Sequence, residues 1–221
     1  MNQALWQTWV VKWKWIIAIA NKRGWDVRDE LKIKKPVTLD TVNKVEKAHQ
    51  IILPVEFKDI LANYSSGVSF TWFIEEEETS GEYREIFSGG SDPVWDIKGF
   101  KDLKENYEGW KTDCFSNPED EYDKIWYNKT PFIQVSNGDM IAFDVEKGNI
   151  NCPVVYLSHD GSDNHGLKLG DNFIDFITRW SNVGCPGTED WQIQPFYNYD
   201  SKQIELTGER VNNWKKWLEE N

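Results

Sequence analysis

The chain has 221 residues, of which 39% are hydrophobic and 28% charged, a globular composition with enough apolar residues for one sizeable core. Its net charge of −12 is uneven: residues 1–50 hold ten Lys/Arg and five Asp/Glu, whereas residues 51–221 hold fifteen and thirty-two. Such a surface repels phosphate backbones, which argues against direct nucleic-acid binding, and it attracts basic proteins; plain solubility is the competing explanation.

The aromatic content is high, with 13 Trp, 11 Phe and 8 Tyr. Most of these rings suit a core, and an exposed subset would suit partner recognition. Cys114, Cys152 and Cys185 are odd in number and widely spaced, with no CxxC pair, so reduced thiols in a cytoplasmic setting are expected.

In chain order, Trp6, Trp9, Val10, Trp13, Ile16, Ile17 and Ala20 recur at helical spacing, and Gly24 follows as a stop signal. Lys12 and Lys14 interrupt the apolar run, which is too short to span a bilayer. The width of its apolar side leaves an interfacial membrane helix as an alternative to packing on the domain. Residues 31–38 read as an extended connection. Thr38 or Asp40 caps a second helix with Val42, Val45 and Ile52 inward, and Pro54 opens a third carrying Phe57, Ile60, Leu61 and Tyr64, with Gly67 as its C′ residue. Residues 68–74 read as a strand, followed by the charge run Glu75, Glu76, Glu77 and Glu78.

Residues 80–93 look loop-like, a short helix falls within 97–110, and an acidic loop covers 117–123. Residues 132–135 and 140–145 form strands of a hairpin with Asn137-Gly138 as a two-residue turn, and 154–157 is a strand covered on both faces. Phe173, Phe176, Ile177 and Trp180 define one face of a helix. The Gly/Pro run at 184–187 reads as a domain edge, and a last helix turns Val211, Trp214 and Leu218 to one side. The organisation expected is a Trp-rich helix and connection over 1–37, a central domain over 38–187, and a helical tail over 188–221 packed on that domain.

Catalytic signatures are scarce. His159, Asp160, Asp163 and His165 form the best metal candidate, but their spacing matches neither HExxH nor an EF-hand loop, and a polar turn between strand and helix explains them better. No GxSxG elbow or Gly-rich phosphate cradle occurs. Glu75 with Asp139 could serve a carbohydrate-active hydrolase with tryptophan platforms, provided the two carboxylates stood at a defined separation. No metal and no cofactor are expected.

The run Thr38, Glu46, Leu53-Pro54, Phe57, Leu61 and Gly67 resembles the N-terminal signature of the SUKH superfamily, the Smi/Knr-type proteins. Its second half follows in order: Phe132-Ile133, Asn137-Gly138-Asp139, Pro153-Val154-Val155, His159-Asp160-Gly161 and the helix closing at Trp180. The resemblance implies a single α+β domain with a largely antiparallel sheet and helices packed against it. It also implies a binding protein and not an enzyme: bacterial members resemble antitoxins that neutralise a toxin domain, often a nuclease, and fungal members are cell-wall regulators. Pro54, Gly67, Asn137, Gly138 and Trp180 read as structural parts of the motif. The expected partner is a cognate toxin protein, contacted by Glu75, Glu76, Glu77, Glu78, Glu119, Asp120, Glu121 and Asp123, with Asp139 and Asp160 beside them and Trp72 or Trp126 as an exposed hot spot.

Overall fold

The computed structural model describes residues 1–74 and 83–220. Helix α1 (Gln3–Arg23) begins where the Asn2 side chain accepts from the Leu5 amide and ends at Gly24, whose φ of 74° turns the chain sharply. Its Trp6, Trp9, Trp13, Ile16, Ile17 and Ala20 are buried, so the protein itself covers the apolar face that an interfacial helix would have offered to lipid. No helix among the described residues is long and apolar enough to cross a membrane.

Strand β1 (Asp26–Ile33) takes in the first three residues of the expected connection, leaving residues 34–38 to link it to the next helix, and pairs antiparallel with β2 (Gly67–Phe73). Exposed Asp26, Arg28, Glu30 and Lys32 alternate with half-buried Val27, Asp29 and Leu31, the pattern of a charged edge strand. Helix α2 (Leu39–His49) is capped by the Thr38 hydroxyl, and α3 (Val55–Asn63) follows Pro54 and buries Phe57, Ile60 and Leu61. Two expectations fail here. Because α2 stops at His49 and Gln50 adopts φ 52°, Ile51 turns inward and Ile52 is left 45% exposed. Gly67 is not a C′ residue, because α3 closes at Tyr64 and Gly67 opens β2.

Strand β3 (Ser88–Asp96) forms from a sequence with little strand propensity because β2 imposes the pairing. Gly89 lies opposite Trp72, and a β-carbon there would stand 2.0 Å from the indole, so only glycine lets the ring lie across the sheet. Helix α4 (Phe100–Asp113) then leads to the second sheet, ordered β4 (Lys129–Gln134), β5 (Met140–Asp144), β6 (Val154–Leu157), β7 (Lys168–Gly170) and antiparallel throughout. The β4–β5 turn has three residues and not two: the Val135 amide donates to Asp139 O, and of Ser136, Asn137 and Gly138 only Gly138 has positive φ, 104°.

Helix α5 (Phe173–Asn182) closes the block with Phe173, Phe176, Ile177 and Trp180 inward. The 184–187 run, expected as an edge, is threaded through the core: Gly90 N–H donates to Cys185 O, Gly187 N–H to Ser88 O, and Trp180 Nε1 to Pro186 O. A short helix α6 (Asp190–Ile193) and a ribbon of β8 (Tyr197–Asn198) and β9 (Gln203–Ile204) follow, and α7 (Glu209–Glu220) buries Val211, Trp214 and Leu218. Among the described residues, seven helices and three antiparallel sheets give an α+β architecture.

The second sheet separates two cores, and the strand alternation sorts its side chains between them. Ile141, Phe143, Val154 and Tyr156 join the large core with α1, α3 and α5. Met140, Ala142, Val155 and Leu157 face a smaller one containing Tyr107, Phe115 and Trp126. The apolar run 154–157 is therefore covered on both faces, as its sequence implies.

Candidate partner-binding surface

The small core is the base on which the acidic loop is mounted. Trp126 stacks on Phe115 at 4.8 Å with planes 8° apart, and the Tyr107 hydroxyl donates to the Trp126 carbonyl. Burial pushes the Tyr107 phenol well above the ordinary range, so it stays a neutral donor. Between these anchors the loop folds on itself: Asp120 Oδ1 accepts from the amides of Tyr122 and Asp123, and Asp123 Oδ2 accepts from that of Asn117. Those amide bonds hold the Asp120 carboxyl below its usual range. Glu119, Asp120 and Glu121 point to solvent, Asp123 is half-buried, and Glu121 pairs with Lys124.

Tyr122 joins this loop to the one after β6. Its ring stacks on His165 at 3.9 Å, its hydroxyl donates to Ser158 O at 2.9 Å, and the Gly161 amide donates back to it at 3.0 Å. The Ser158 amide donates to His165 Nδ1, which leaves Nε2 to carry the proton and donate to Tyr122 O at 3.1 Å. Both ring nitrogens are thus used within the fold. Asp160 is exposed, with Oδ1 accepting from the Ser158 hydroxyl at 2.6 Å, a bond that lowers its carboxyl pKa.

Burial pushes His165 down to about 4 from an ordinary 6.5. The folded protein therefore binds fewer protons than the unfolded chain between those values. The stabilising contribution is complete above pH 6.5 and is lost as pH falls through the window to 4. Allowing for partial exposure, the loss should be about 1–2 kcal/mol. His165→Gln is expected to flatten that part of the stability–pH curve in urea denaturation series; an unchanged slope would clear His165 of the effect.

Beside the acidic loop lies a groove of about 470 Å³ between α4 and the β4–β5 turn, lined among others by Glu105, Trp110, Asp113, Gln134 and Gly138. The His159 imidazole lies close to Gly138 and under Trp110, whose ring centroid is 4.6 Å away. Buried Asp139 sets that imidazole: Oδ1 accepts from the His159 amide at 2.8 Å and lies 2.6 Å from Nδ1, while Oδ2 accepts from Tyr156 Oη at 2.5 Å and Asn137 Nδ2 at 2.8 Å. Burial, then the bond to Asp139, raise the Tyr156 phenol far above its usual range. Three sequence expectations are corrected by this geometry. Asp139 is an interior anchor and not a surface contact, because three donors converge on it inside the sheet edge. Trp72 and Trp126 are fully buried, one beneath Gly89 and one on Phe115, so neither presents a ring to a partner.

The order of these elements carries the same signature along the chain, and the model of the SMI1 / KNR4 family (SUKH-1) matches residues 36–179. The chain belongs to this family. Neither the curated proteins nor the solved structures gave a match. The SUKH-1 segment runs from just before α2 to near the end of α5 and contains the acidic loop, the Asp139 network and the groove. Tyr122 ties the loop that carries Glu119, Asp120, Glu121 and Asp123 to the loop that carries Asp160. Glu75, Glu76, Glu77 and Glu78 lie outside the described residues. Pro54 and Trp180 serve in packing, and Gly138 in the turn. Trp110 was missed as a site residue although Leu103, Tyr107 and Trp110 continue one helical stripe; its half-exposed ring at the groove is what marks it out.

Proposed function

We propose that this protein is an immunity protein that binds a basic toxin domain, neutralises it without catalysing a reaction, and acts in the cytoplasm. The observation that carries the reading is the rigid acidic loop of Glu119, Asp120, Glu121 and Asp123, held beside Asp160 and the carboxylate-lined groove. A nucleic-acid-cleaving toxin suits such a surface, since carboxylates fixed in place can occupy the region that receives phosphates. The same charge would keep the protein off nucleic acid itself. Membership of SUKH-1 supports a binding role.

The discriminating variant is the triple substitution Glu119→Lys, Glu121→Lys and Asp160→Lys, which spares Asp120 and Asp123 because they hold the loop backbone. Association with a basic toxin domain, measured by surface plasmon resonance, should slow by about 10-fold or more at low salt and much less at high salt. Rescue of growth in cells expressing the toxin should fall in parallel. Unchanged association and full protection would rule out the acidic face as the contact.

A further inference from the structure

At the junction of α1, α5 and α7, two lysines from opposite ends of the chain converge on one oxygen. Lys12 Nζ donates to Asn182 Oδ1 at 2.9 Å, and Lys215 Nζ donates to the same atom at 3.1 Å. Asn182 is held in place in turn, because its Nδ2 donates to the carbonyl of Leu206. Neither lysine forms an ion pair among the described residues; Glu219, one turn along α7, acts on Lys215 only through space. Each ammonium has three donors. One of each is spent on Asn182, and no described residue accepts the others.

This arrangement is costly as it stands. Both side chains are half-buried, both are pushed below the usual lysine range by burial, and the Lys215 charge lowers Lys12 further. Lysines free to move would separate into water. These two are kept together in a protein whose net charge is −12. A dianion placed beside Asn182 would neutralise both charges and accept the unused donors, whereas a monocarboxylate would leave one charge uncompensated. We propose that Lys12, Lys215 and Asn182 form a phosphate-binding site, filled by a phosphate group either free or carried on a small organic molecule. The site lies on the α1–α7 side, outside the SUKH-1 segment for both lysines, and does not depend on the toxin-binding reading.

The test compares thermal unfolding of the full chain in inorganic phosphate, glycerol phosphate, acetate and chloride at matched ionic strength. Phosphate should raise the parent's midpoint by about 3 °C or more over chloride, and acetate should not. Lys12→Gln and Lys215→Gln should each abolish the phosphate-specific rise. A rise with both phosphates assigns the site to a phosphorylated molecule, and a rise with inorganic phosphate alone assigns it to the free ion. In case a variant fails to fold, the parent supplies an independent readout: phosphate should protect Lys12 and Lys215, and not the exposed Lys14 and Lys44, from amine acylation read by peptide mass spectrometry. An equal rise in acetate, persistence of the phosphate-specific rise in both variants, or acylation of Lys12 and Lys215 unaffected by phosphate would overturn the proposal.

Discussion

Trp13→Ala should lower the unfolding free energy by about 3–5 kcal/mol, the cost of emptying a large buried aromatic site. Trp13 is fully buried, its ring packs against Trp6, Trp9, Phe70 and Trp95 with centroids 5.7–6.3 Å away, and its Nε1 donates to the buried Ser181 hydroxyl at 2.9 Å. Truncation opens a void between α1 and the first sheet and leaves that hydroxyl without its donor. For a chain of this size the thermal midpoint should fall by about 10 °C. Trp13→Phe keeps most of the packing and should cost clearly less. The prediction bears on the limits of the fold, because α1 lies before the SUKH-1 match and yet supplies the central rings of the large core. A loss under about 1 kcal/mol on Trp13→Ala would mean that α1 does not unfold with the rest, since buried aromatic truncations inside one cooperative unit do not come that cheaply.

The parts of this architecture that could be read in advance are those where one segment carries its own periodicity. Helix α1, helix α5 and strand β6 declare themselves because the apolar spacing within each matches a face, or in β6 two faces, that the fold buries. Strands β1 and β3 do not. The first carries charges at alternate positions as an edge, and the second is a Gly- and Ser-containing run that becomes a strand only because β2 and Trp72 are already there. Strand β7, three residues long, is equally dependent on its neighbour β6. The site divides along the same line. The acidic loop was visible as a charge run, but its docking through Tyr122 on His165 is a contact across 43 residues of chain, which no local pattern encodes. Exposure failed for the same reason: Trp126 follows a polar loop, and it is covered by residues distant in the chain, Phe115, Tyr107, Trp110 and His165 among them.

Asp139 shows what this difference means for function. Asp139→Ala should cost about 3–5 kcal/mol, because the Tyr156 hydroxyl, the His159 amide and the Asn137 side chain all lose their acceptor inside the protein. Asp139→Asn keeps the shape but sets an amide donor against one of those donors, and should cost about 2–3 kcal/mol. Asp160→Ala, exposed and bonded only locally, should cost under about 1 kcal/mol. Urea denaturation of the three variants ranks them. In hydrogen exchange, the Asp139 variants should also speed exchange of the His159 amide and of the Gly161 amide that donates to Tyr122, since the loop after β6 loses the group that orients it. The acidic loop is bound to that loop through the same tyrosine, so partner association should weaken in Asp139→Ala even though Asp139 has no surface to offer. Asp160→Ala should show the reverse combination, full stability with slower association. If Asp139→Ala proves no less stable than Asp160→Ala, the buried network is not what holds the binding face together, and the face must draw its rigidity from the Trp126–Phe115 stack and the Tyr122 contacts with His165, Ser158 and Gly161.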